Sequence, residues 1–282
     1  IDLLMTNQIK PVVFTLFCLI FGLSTGWSQS KAVYTKYVNP FVGTAPLTDP
    51  KILGYELPQG WRSWAGLTFP GSSLPNAMVQ LSPITEYGSG AGYEYEDDRI
   101  YGFTHTNKGH WNLCNIPVLP LSNPKKKFGS RFSHKNESAS PGFYQVYLED
   151  YQVNVKLTST LRCGYHQYHY KDNTNRQILF DLAKANNRVN SWSIEKVGNH
   201  AVKGVQNVGE KIYFYAELNA DIEEVEQKDA SKRDGYAILH LKDGSKGPVE
   251  LKIGLSFVSM ENAKENLKKE MGDKSFVQVH NE

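Results

Sequence analysis

From about residue 142 onward, hydrophobic positions recur at every second residue. Phe143–Leu148 ends at a turn on Glu149 and Asp150, and Val153, Val155 and Leu157 then alternate with Asn154, Lys156 and Thr158. This is the pattern of half-buried strands. Tyr165, Gln167 and His169 alternate against His166, Tyr168 and Tyr170, and 178–182 is a short apolar run. Ile212, Phe214, Ala216 and Leu218 alternate with Tyr213, Tyr215 and Glu217; Tyr236–Leu241 and 249–258 continue the series across a turn at 242–248. No helix-length periodic segment intervenes. The body is therefore all-β and mostly antiparallel, a sandwich of sheets or, alternatively, a closed barrel.

The pattern changes at both ends. After Ser259, a good N-cap, the positions Met260, Ala263, Leu267 and Met271 fall at helical spacing and require something to pack against. A helix beginning so near residue 282 reads as the start (259–282) of a linker to a second domain, which would cover that apolar stripe. At the other end Lys10 precedes the apolar run 12–21, and small and polar residues fill 22–30. That order is a secretory signal over 1–30, and the apolar run is too short for a stable membrane span. The expectation is a secreted or periplasmic protein, or one at the cell surface, with a mature domain over 31–258.

Composition narrows the chemistry. A formal net charge of +2 over 282 residues gives no broad attraction for nucleic acid or anionic lipid. The run 125–127 of three lysines reads as a solvated loop. Cys114 and Cys163 remain after export; they could pair, and a buried free thiol is at least as good a reading of Cys114 beside Leu113 and Ile116. There is no CxxC pair, HExxH, EF-hand, GxGxxG or GxSxG spacing. Between 61 and 120, Trp61, Trp64, Phe69, Tyr87, Tyr93, Tyr95, Tyr101, Phe103 and Trp111 sit among Gly, Pro, Ser and Asn. Aromatic faces beside amides and imidazoles suit a sugar, and they equally suit a tyrosine-rich sheet core. His105, His110 and Trp111 lie on one loop, and with Phe69 and Tyr93 they are the candidate sugar contacts. If 93–95 is a strand, Glu94 and Glu96 point the same way as a carboxylate pair; the rival reading is an exposed acidic turn before Arg99.

The motifs 39–44 (NPFVGT), 68–71 (TFPG) with Pro75, 78–83 (MVQLSP), 92–95 (GYEY), 101–106 (YGFTHT), 140–144 (SPGFY) and 253–263 (IGLSFVSMENA) occur in this order. Together they resemble the amino-terminal domain of glycoside hydrolase family 92, the exo-acting α-mannosidases. The resemblance implies a galactose-mutarotase-like β-supersandwich joined through helices to an α/α-barrel domain, with an active site between the two. It also implies hydrolysis of terminal α-mannosides of glycans with inversion, dependent on Ca2+. The acid, base and calcium ligands are expected on the second domain, so no catalytic or metal-binding residue is assigned in this chain. The alternatives are a stand-alone carbohydrate-binding module and a purely structural β-domain.

Overall fold

The structure is a computed structural model that describes residues 34–282 apart from 60, 65, 109–110, 124–126, 229–233 and 245–246. The expected leader over 1–30, the lysines at 125 and 126, and His110 lie outside the described residues.

Two antiparallel sheets carry the chain. The first has eight strands, in the spatial order Glu137–Ser140, Phe143–Leu148, Val153–Ser159, Cys163–Tyr170, Val249–Ser256, Lys211–Leu218, Ala201–Asn207 and Ser191–Val197. The last strand in sequence thus lies at the centre, pairing Gly254 with Cys163 on one side and with Tyr215 on the other. The second sheet has seven strands, in the order Ile222–Lys228, Tyr236–Leu241, Arg176–Phe180, Val118–Ser122, Gly102–Thr104, Gln80–Ile84 and Ser72–Ser73. Strands expected from alternation start and stop within two residues of their observed limits.

Alternation explains the register. Val153, Val155 and Leu157 are fully buried while Asn154 and Lys156 are not. Slipping that strand by one residue would exchange the two sets and expose three apolar side chains, at about 1.5–3 kcal/mol each. The inward faces of the two sheets interlock in one core that includes Leu81, Phe103, Val118, Val155, Phe180, Phe214, Leu239 and Leu255. Residues 35–282 form one compact unit, and among the described residues no helix is long and apolar enough to cross a membrane.

The stripe on helix Met260–Glu270 departs from expectation. Ala263, Leu267 and Met271 are buried at 0%, 2% and 1% exposure against Cys163, Tyr165, Ala201 and Tyr215 on the outer face of the eight-stranded sheet. A second helix, Phe276–Asn281, opened by a Ser275/Gln278 capping box, adds Phe276 and Val279 to the same cluster. The stripe is therefore covered by the chain's own sheet. Gly254 makes this possible: a Cβ there would lie 2.3 Å from the Ala263 carbonyl oxygen, so the helix rests directly on backbone.

Cys114 and Cys163 are both buried free thiols. Burial pushes both well above the ordinary thiol value, so they behave as small apolar side chains.

Candidate functional site

Three loops are joined by hydrogen bonds: 85–98, 105–117 and 181–190. Asparagines bind them together. Asn112 donates from its backbone to Gly90 O (2.7 Å) and from Nδ2 to Ala91 O (2.9 Å). Asn186 Nδ2 donates to Ser89 O and Asn112 O (3.0 and 2.6 Å), and its Oδ1 accepts from Gly88 N (2.7 Å). Gly92, at φ +73, faces the Asn112 side chain so closely that a Cβ would meet Nδ2 at 2.8 Å. Only glycine fits both the conformation and the space.

That turn decides the fate of the acidic run. Residues 93–95 form no strand; Asp97 N donates to Glu94 O (3.1 Å) and the chain bends. Of the two readings, the acidic turn is the one formed, with Glu96 exposed and Glu94 1% exposed. Desolvation, opposed by nearby Arg62 and a hydrogen bond with Ser89, pushes the Glu94 carboxyl up to about 7. Arg62 is held by Asp97 at 2.8 Å, with Glu86 at 3.7 Å.

Buried polar atoms without a partner are uncommon in folded proteins. On these loops, Tyr87 Oη, Glu94 Oε1, Asp97 Oδ2, both side-chain atoms of Asn107, and Asn115 Nδ2 are buried and unpartnered. Six such atoms lie on these loops, so unmet hydrogen-bonding capacity gathers here. The set contains hydroxyl, carboxyl, amide donors and amide acceptors, the mixture that a polyhydroxylated ligand or ordered water would satisfy. A carboxyl near pKa 7 can donate or accept, which suits a sugar hydroxyl.

The candidate sugar contacts divide. Trp111 is half-buried on the short hairpin that pairs it with Lys108 and pairs Asn107 with Asn112. Phe69 is half-buried in the turn that Thr68 ties to Val42 O (2.8 Å). In that turn a Cβ on Gly71 would sit 1.7 Å from Leu81 O. Both aromatics retain surface. His105 and Tyr93 do not; each is fully buried.

For His105 the reason is a partner 61 residues away. Its Nδ1 lies 2.8 Å from the Ile116 carbonyl and its Nε2 lies 2.9 Å from His166 Nε2. The carbonyl can only accept, so His105 donates from Nδ1 and accepts at Nε2. His166 must then donate from Nε2, which leaves its buried Nδ1 as an unpartnered acceptor. Burial pushes His105 down to about 4, and His166 is lowered by burial and by His105. The two form a neutral pair in the core. Tyr93 Oη donates to Glu137 (3.1 Å), a carboxylate that also accepts from Tyr144 Oη (2.6 Å) and faces His134 Nδ1 (2.6 Å). Both burials follow from sheet packing.

Among the described residues no group of three or more His, Cys, Asp or Glu converges to hold a metal. Calcium takes 6–8 oxygen ligands.

A sequence search of curated proteins gave no significant match. Among solved structures, the fold is similar to that of a family GH92 α-mannosidase from Bacteroides thetaiotaomicron, with TM-score 0.74 and 23% identity, covering 88% of this chain and 36% of that one. It is also similar to an inverting family GH92 mannosidase from Bacteroides thetaiotaomicron VPI-5482, with TM-score 0.72 and 23% identity over 88% of this chain and 34% of that one. A third similar structure is a GH92 family glycosyl hydrolase, with TM-score 0.72 and 24% identity over 88% of this chain and 36% of that one. The likeness establishes the fold, and the chain spans about a third of the length of each. Residues 37–256 match the family profile of the glycosyl hydrolase family 92 N-terminal domain, and the chain accordingly belongs to that family.

Proposed function

We propose that this chain is the substrate-contacting half of an exported, inverting α-mannosidase acting on terminal α-mannosides of glycans. The observation that carries the reading is the cluster of unpartnered buried polar atoms on the loops around Glu94, Asn107 and Asn115, in a chain whose family match spans residues 37–256. Trp111 offers an indole face and an N–H beside these groups, and Phe69 lies on the other motif turn. In this reading Glu94, which is 1% exposed, reaches a sugar hydroxyl through ordered water and does not transfer the glycosidic proton. General acid, general base and Ca2+ belong to a second domain, consistent with solved family members about three times as long. The leader at 1–30 and secretion or periplasmic placement complete the proposal.

The test compares the 282-residue chain with a protein extended to the full length of its relatives, using an aryl α-mannoside with and without a calcium chelator. The extended protein is expected to hydrolyse it in a chelator-sensitive manner and the chain alone to show no turnover. Turnover by the chain alone would overturn the division of labour, and an extended protein inactive on α-mannosides would overturn the substrate.

A further inference from the structure

A cavity of about 670 Å³ opens beside the two-stranded pairing of Arg99–Ile100 with Ser130–Arg131 and is lined by Arg99, Tyr101, Lys127, Phe128, Arg131 and Asp150, among others. Its size falls within the range of about 300–1,000 Å³ typical of small-ligand sites. None of the Glu94 group lines it.

The cavity is built around Asp150. Arg131 donates to that carboxylate from its backbone N (2.9 Å), Nε (3.2 Å) and Nη2 (3.0 Å), and Arg99 donates from Nη1 (3.3 Å). Arg99 Nη1 also donates to Gly129 O (3.1 Å). One carboxylate thus fixes two guanidinium planes. Among the described residues, Arg131 Nη1, Arg99 Nη2 and Lys127 Nζ make no hydrogen bond or ion pair. The lining therefore holds three cations against one carboxylate already saturated by two of them. Asp98 and Glu149 lie within electrostatic range of Arg131 but do not line the cavity.

Aromatic surface adjoins these donors. Tyr101 is 37% exposed, and its ring lies so close to Gly129, at φ +115, that a Cβ there would meet Cδ1 at 2.8 Å. Phe128 is braced edge-on against Tyr236, with ring centroids 4.8 Å apart. Rigid guanidinium forks suit carboxylates and phosphates, and an adjacent aromatic face suits the apolar face of a sugar ring.

We propose that this cavity binds an anionic glycan, its carboxylate or phosphate on Arg131, Arg99 and Lys127 and its sugar ring on Tyr101 and Phe128. The sugar component rests on the carbohydrate reading of the family; the anion component rests on the cavity alone. The experiment titrates the folded chain calorimetrically at low salt with glucuronic acid, glucose 6-phosphate, methyl α-glucoside and inorganic phosphate. At least one sugar anion is expected to bind saturably and at least tenfold tighter than methyl α-glucoside; which one binds identifies the anionic group. Arg131→Gln combined with Lys127→Gln, both at exposed positions, should weaken that binding at least fivefold, with cooperative unfolding retained to show that the chain still folds. Tyr101→Ala should weaken the sugar anion but not inorganic phosphate. Absence of binding by either sugar anion, or affinity unchanged by the double substitution, would overturn the proposal; inorganic phosphate binding as tightly as the sugar anion would overturn its glycan part. No hydrolysis is read, so a negative result leaves the mannosidase assay to stand or fall independently.

Discussion

Replacing Glu94 by Gln keeps the side chain's shape and its amide can still donate, but it removes the ionisable group. The carboxyl ordinarily titrates at 4.5 and in the folded protein is pushed up to about 7, chiefly by burial. A carboxyl whose folded pKa lies above its unfolded value binds its proton more tightly when folded. Its stabilising contribution is complete below pH 4.5, is lost as pH rises towards 7, and is absent above that. At about 1.4 kcal/mol per pH unit the loss between pH 4.5 and 7 is about 3 kcal/mol, with the opposing charge of Arg62 already included in that pKa. His105 acts in the opposite direction. Its pKa is pushed down from 6.5 to about 4 by burial, so its contribution is present above pH 6.5 and lost as pH falls to 4. The two slopes overlap and mask one another in the wild type, so the informative quantity is the difference between variant and wild type. Urea unfolding at half-unit steps from pH 4 to 8.5 should show Glu94→Gln about equal to wild type at pH 4 and about 1–3 kcal/mol more stable at pH 8. A difference that is flat across the range, or that favours wild type at high pH, would refute the assignment of Glu94 as a proton-holding buried group.

Three further outcomes follow from the packing. Glu137→Ala would leave the buried hydroxyls of Tyr93 and Tyr144 without their acceptor and is expected to cost at least about 3 kcal/mol; a chemical-denaturation loss below about 1 kcal/mol would contradict the network. His105→Leu removes the group whose pKa is pushed down to about 4, so its stability relative to wild type should rise by about 3 kcal/mol as pH falls from 6.5 to 4; a difference from wild type that is flat over that range would place the titration elsewhere. Gly254→Ala inserts a Cβ 2.3 Å from the Ala263 carbonyl, so hydrogen exchange should accelerate across Met260–Glu270 while the sheets stay protected. Unchanged protection in that helix would show that it does not rest on Gly254.

Much of the fold could be read from alternation because each strand of the eight-stranded sheet has one face in the core, as Val153, Val155 and Leu157 show. Trp192 and Ile194 carry the same period in Ser191–Val197 and were available to it. The helix Phe276–Asn281 also left a signal, Ser275 three residues before Gln278. What alternation cannot reveal is which distant group meets a given side chain. His105 reads as a loop histidine until the sheets bring His166 to its Nε2. Tyr93 reads as a sugar platform until Glu137 receives its hydroxyl. The amphipathic stripe of Met260–Glu270 was legible, but its cover was not, since that depends on Gly254 lying under Ala263. For Glu94, the departure from strand geometry traces to Gly92 and Asn112, whose contact joins two separate loops. Trp111 and Phe69 are half-buried on short turns, placements that local turn residues set without a long-range partner.

The most direct test of the central claim is kcat/KM for α-mannoside hydrolysis by the extended protein carrying Trp111→Ala. The account predicts a fall of at least tenfold, about 1.4 kcal/mol of transition-state stabilisation, with the melting temperature of the N-terminal domain preserved because Trp111 is only half-buried. A folded variant with wild-type kcat/KM would contradict a substrate-contacting role for this loop face.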